Sequence, residues 1–166
     1  MEREVKLWAK TLLTAYPHLH EAAFQADRRL MDEALGSWRS LRTAEDMCRR
    51  IQDLVEVKES YINAKVAVEE CLRRLAEKYR RMLTCRYFKK LTYETIAAVA
   101  KVSRRNVVYN AEAALSAFAK IMLERGYDGA RLKELFGANP FLLLIKQRLS
   151  EGAEECPFRK YEAYRV

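Results

Sequence analysis

Apolar positions recur every three or four residues along most of this chain, the spacing of amphipathic helices rather than strands. In the first segment, Glu2 to Tyr16, Val5, Trp8, Leu12 and Leu13 keep that spacing, and Pro17 is expected to end the helix. A second helix is predicted from Leu19 to about Leu35, with Ala23, Leu30, Met31, Ala34 and Leu35 along one side. Gly36 and Ser37 form a break, and Trp38 to Arg42 reads as a linker. Thr43 then has the features of an N-cap, with Asp46 three residues on.

From Ala44 to about Leu83 there is no Gly or Pro. Ile51, Leu54, Val55, Tyr61, Ile62, Val68, Cys71, Leu72, Leu75 and Met82 keep a largely 3–4 spacing. The pattern fits one long helix or two with a short joint. A single helix of that length would span about 60 Å, which a small domain cannot cover alone. Either a break is hidden in it, or a partner helix covers it, for instance from a second copy of the chain. Further on, Asp128 to Phe136 reads as a short helix ending at Gly137. Asn139-Pro140 reads as the start of another, running to about Ser150. The polar stretch from Gly152, with Pro157, reads as a tail that Phe158, Tyr161 and Tyr164 could dock.

Length narrows this further. At 166 residues, half of them hydrophobic and a third charged, the chain is a packed protein of one or two small domains. Five Gly and three Pro are too few turn residues for an all-β fold. The fold class expected is all-α, without a wing. The longest apolar run, Pro140 to Ile145, is far short of a membrane span. The N-terminus mixes acids with bases and lacks a cleavage signal, so a cytoplasmic protein with no membrane partner is expected.

Candidate chemistry is sparse. Cys48, Cys71, Cys85 and Cys156 form no CxxC pair, and His18 and His20 are the only imidazoles, so no metal or other cofactor is expected. Cys48, Cys71 and Cys85 sit at apolar helical positions and read as small buried hydrophobes. There is no phosphate loop, nucleophile elbow or HExxH, so no enzyme is expected.

Charge is more informative. The net +8 is concentrated between Lys78 and Asn110, where nine bases face one acid, Glu94; the rest of the chain is neutral overall. A basic island on a neutral scaffold suits an anion, and nucleic acid is the usual one. The island carries the clearest local pattern in the chain. Thr92 can cap a helix from Tyr93 to Ala100, and Ser103 can cap a second beginning at Arg104. The three residues between them suit a helix-turn-helix. Ala97 is small where the helices cross, and Ile96, Val102 and Val107 are placed for a shared core. On the second helix Val107, Ala111, Ala114 and Phe118 share the inner side. Arg105, Val108, Tyr109 and Glu112 share the outer side, flanked by Arg104 and Asn106.

A recognition helix presents its N-terminal residues to base edges in the major groove. Arg105 is matched to guanine O6 and N7, and Glu112 to a cytosine amine. Ser103, Arg104 and Asn106 suit phosphates, and Lys89, Lys90 and Lys101 suit the backbone-binding rim. Double-stranded DNA is the partner expected, with affinity falling steeply as salt rises.

The run RYFKKLTYETIAAVAKVSRRNV, Arg86 to Val107, closed by Ala114-Leu115, resembles region 4 of the sigma-70 family. The resemblance extends from about Val66 to Met122. It implies promoter-type DNA reading and contact with RNA polymerase. The remainder looks more like small helix-turn-helix regulators of Firmicute genomes and prophages. Lys101 stands where the family has a turn Gly, Thr95 where it has Glu, Asn106 where it has Thr, and Ala100 where it has Leu. Nothing resembles sigma region 2, so a complete sigma factor is not expected.

The organisation expected is therefore 1–65 as a helical region for packing or homodimerisation, 66–125 as the helix-turn-helix domain, and 126–166 as a helical extension and tail. The function expected is sequence-specific transcriptional regulation. The alternative is a protein-interaction module, an RNA polymerase adaptor or anti-sigma-like factor, without strong DNA specificity.

Overall fold

The computed structural model describes residues 2–36 and 43–152. The expected linker at Trp38 to Arg42, Ser37, Cys156 and the aromatic tail residues lie outside the described residues. Within them the fold is all-α, with seven α-helices and no strand. In chain order these are α1 (Glu2–Gly36), α2 (Ala44–Arg74), α3 (Glu77–Leu83), α4 (Tyr93–Ala100), α5 (Arg104–Glu124), α6 (Gly129–Phe136) and α7 (Pro140–Ser150). A π-helical turn, Thr84–Phe88, continues α3.

The helix starts lie where capping chemistry puts them. Thr43, Thr92, Ser103, Asp128 and Asn139 each accept a bond from a first-turn amide through a side-chain oxygen. Each satisfies a donor that the helix itself cannot.

Pro17 does not end the first helix. It lies inside α1, which continues to Gly36. An interior Pro costs roughly 3 kcal/mol through its missing donor and ring clash. Burial on both sides of it offsets that cost: Leu12, Leu13 and Ala15 before Pro17, and Leu19, Ala22 and Ala26 after it, belong to one core. α2 runs antiparallel beside α1, with Tyr16 bonded to Glu69, Asp27 paired with Lys58, and Glu33 with Arg50. The apolar side expected near the end of α1 is only partly covered. Ala23 and Leu30 are half-buried, and Met31, Ala34 and Leu35 are exposed.

The long Gly-free stretch does hide a break. α2 ends at Arg74, and Leu75 is extended, at φ −74° and ψ 139°. Its amide reaches back to the Cys71 and Leu72 carbonyls. Leu75 and Leu83 are both buried, so the turn is set by the core they enter and not by a turn residue.

That core draws on every long element: Trp8 and Leu12 of α1, Val68 and Cys71 of α2, Phe118 and Met122 of α5, Phe136 of α6, and Phe141 and Ile145 of α7. A smaller cluster of Ile96, Ala97 and Val107 holds α4 against α5, with Met82, Leu91 and Tyr93 at its edge. Val102, expected in that core, is 41% exposed, because it lies in the turn past the end of α4. Of the cysteines expected to be buried, Cys71 is, Cys85 is half-buried, and Cys48 is exposed near the start of α2. Burial pushes the Cys71 thiol up to about 11, which keeps it protonated and inert.

Candidate nucleic-acid interface

α4, the three-residue turn and α5 have the bounds that the capping pattern implies. The turn is closed by Lys101 in the left-handed region, at φ 54° and ψ 42°. Its amide and that of Val102 cap the α4 carbonyls of Ala97 and Ala98. Lys90 is also left-handed, at φ 54°, just before α4. A side chain in this conformation costs about 1 kcal/mol relative to Gly. Lys101→Gly is therefore expected to raise stability by about 1 kcal/mol and the melting temperature by roughly 2–4 °C. A thermal melt that is unchanged or lower would show that the surroundings relieve this strain.

α5 divides as its periodicity requires. Val107, Ala111, Ala114 and Phe118 are buried. Arg105, Asn106 and Tyr109 are exposed, Tyr109 by 74%, and Val108 is half-buried. Ser103 is occupied as the cap, its Oγ accepting from the Asn106 amide at 3.3 Å. The Asn106 side-chain Oδ1 accepts from Asn110 Nδ2 at 2.8 Å. Arg104 pairs with Glu94, tying the start of α5 to the start of α4. The Glu94 carboxyl is held below its usual range by its own backbone amide at the helix start and by this guanidinium.

Two expected contacts are engaged elsewhere in the fold. Glu112 lies two turns into α5, and its carboxylate is 2.7 Å from Lys6 Nζ on α1. Lys90 Nζ is 3.2 Å from His18 Nε2. Burial and the Lys90 charge push the His18 pKa down, so the ring is neutral at pH 7 and Nε2 can accept.

The basic island is less uniform than its sequence. Glu77, one residue before it, holds both Arg80 and Arg81. Arg86 lies over the Tyr93 ring at 4.5 Å and donates to the Leu91 carbonyl, so it builds the turn before α4. Lys89, Lys101 and Arg105 are exposed, with no ion-pair partner among the described residues.

α1 braces this unit along its length, through Lys6–Glu112, the Tyr16–Phe88 ring contact at 4.7 Å, and His18–Lys90. Sequence reading missed Lys6 and His18. Their partners are 106 and 72 residues away, and no local pattern marks such pairs.

No described helix is long and apolar enough to cross a membrane, and no three metal-ligating side chains cluster among the described residues.

In comparison with known proteins, residues 65–117 match the family model described as sigma-70, region 4. No curated protein and no solved structure matches the chain. That segment is a sigma-70 region 4-like, DNA-binding type of helix-turn-helix; the match covers less than half of the chain, and the helices flanking it lie outside the match.

Proposed function

We propose that this chain is a sequence-specific transcriptional regulator that acts on double-stranded DNA in the cytoplasm. The exposed N-terminal end of α5 carries the reading. Arg105, Val108 and Tyr109 stand on the side turned away from the core, and the first-turn amides of α5 point out of the helix. Arg105 reads a guanine, with Tyr109 and Val108 alongside. Ser103, Arg104 and Asn106 hold one phosphate strand, and Lys89, Lys90 and Lys101 form the rim. Arg104 would exchange Glu94 for phosphate. Glu112 would read a base only by releasing Lys6, so it ranks below Arg105. Residues 66–125 form the DNA-binding part, 1–65 serve packing or homodimerisation, and 126–166 are a C-terminal extension.

Selection from a random duplex pool at moderate salt tests this. The wild type should enrich a defined element. Arg105→Ala should bind it about 10- to 100-fold more weakly and lose preference at one position. No enrichment, with the variant indistinguishable from wild type, would sink the reading. A second reading, an RNA polymerase adaptor, is favoured by one observation: Val99 on α4 is 79% exposed beside the exposed Val102. It predicts polymerase co-purification that Val99→Glu abolishes while DNA binding is absent.

A further inference from the structure

The part of the α1–α2 hairpin farthest from the core is under-packed. No residue among the described 27–36 and 43–59 is fully buried. Helices of this kind are stable when an apolar side is covered. The hairpin keeps one antiparallel register throughout, set by Tyr16–Glu69, Asp27–Lys58 and Glu33–Arg50.

The last two pairs bridge the helices on opposite sides and so fix how each helix is turned. Counting about 100° per residue, Phe24, Met31 and Leu35 of α1 fall on the Asp27–Lys58 side. Val55, Ile62 and Val66 of α2 fall on the same side. All but the half-buried Val55 are exposed. The other side of α2 is covered near the base, where Asn139 donates to Ser60 and Phe141 lies against Tyr61. Among the described residues, one apolar face, built from both helices, is therefore left open.

We infer that this face is covered by the same face of a second copy, forming a four-helix arm with its two-fold axis parallel to the helices. Charge selects both the occupant and the arrangement. Arg28 lies on the outer rim of α1 and Glu59 on the outer rim of α2. Both are exposed, and neither has an ion-pair partner among the described residues. The Tyr16–Glu69 and Asp27–Lys58 pairs put Arg28 at the level of residue 57, so Glu59 is only about 3 Å further along. Within one chain the apolar face separates them. An axis parallel to the arm sets α1 of one copy against α2 of the other and brings Arg28 to Glu59 twice. A head-to-tail axis would set α1 against α1 and oppose like rims. The parallel arrangement also places both helix-turn-helix units at one end, the geometry for two half-sites about one DNA turn, or a multiple, apart.

The dimer does not depend on the DNA reading, and the test keeps them apart. Sedimentation equilibrium of the full chain at micromolar concentration should give twice 19.4 kDa. Met31→Glu, an exposed position that leaves the helical content intact, should weaken association at least about 100-fold by burying a charge in the apolar seam. Arg28→Glu and Glu59→Arg should each weaken it roughly three- to tenfold, and the double reversal should restore it. A monomer at every concentration, or a dimer indifferent to Met31→Glu, overturns the proposal. Failure of the double reversal to restore a dimer that each single reversal weakened overturns the parallel arrangement. If the dimer forms but no duplex is enriched, the DNA reading fails alone.

Discussion

Trp8→Ala should lower the free energy of unfolding by about 3–5 kcal/mol, the largest effect expected from any single substitution here. Trp8 is completely buried near the start of α1, packed on Phe136 with ring centroids 6.0 Å apart. Lys146 lies 4.2 Å over its ring and is 3.7 Å from Glu4. Truncation would leave a cavity where α1, α6 and α7 meet. The indole also carries a penalty, because its Nε1 is buried without a hydrogen-bond partner among the described residues. A buried donor left unpaired costs about 1–3 kcal/mol. Trp8→Phe removes that donor along with some volume, so it should fall within about 1 kcal/mol of wild type. Urea unfolding of the two variants decides it. A Phe variant as unstable as the Ala variant would mean that the unpaired donor costs little and that the site needs the full indole. Neither change touches the outer side of α5, so folded variant protein should keep its DNA preference.

Asn139→Ala should cost about 2–3 kcal/mol, more than an ordinary cap. The Asn139 side chain is fully buried. Its Oδ1 accepts from the Phe141 and Leu142 amides at 3.0 and 3.1 Å. Its Nδ2 donates to the Ser60 hydroxyl, which in turn donates to the Val57 carbonyl at 2.7 Å. One side chain thus starts α7 and fastens it to α2. Removing it strands two buried amides, which adds to the usual cap loss of about 1 kcal/mol. Thr43 is the internal comparison, an exposed cap at the start of α2. Thr43→Ala should cost about 0.5–1 kcal/mol. Equal losses at the two positions would show that burial of the α7 cap adds nothing. In a double-mutant cycle Asn139→Ala and Ser60→Ala should couple by about 1 kcal/mol.

The two predictions mark where the sequence was informative. Asn139-Pro140 identified the start of α7 because capping is local chemistry: an acceptor, a first-turn Pro and the amides it meets lie within four residues. Thr92 and Ser103 identified α4 and α5 for the same reason. The inner and outer sides of α5 followed from periodicity alone, since Val107, Ala111, Ala114 and Phe118 are one face of any helix that contains them. Nothing local to Asn139 announced Ser60, 79 residues away. Nor did anything in Glu112 or Lys90 announce the α1 residues that hold them.

The failures have the same cause. Pro17 was expected to end a helix because its local cost is known, but the burial that offsets the cost comes from α2, α5 and α7. Leu75 interrupts the α2–α3 stretch with neither Gly nor Pro, because its side chain enters the core. The charge count overstated the free positive surface, since Glu77 holds Arg80 and Arg81 and Glu94 holds Arg104.

The sequence by itself determined the helical class, the caps, the helix-turn-helix and its outward-facing residues, because short-range bonds and helical period decide these. Only the tertiary structure decided that α1 runs unbroken past Pro17 as a brace, that several expected DNA contacts are already paired, and that, among the described residues, one face of the arm is left uncovered. Those outcomes depend on which distant side chains share a space, and the free energy of burial there exceeds the local preferences that a sequence displays.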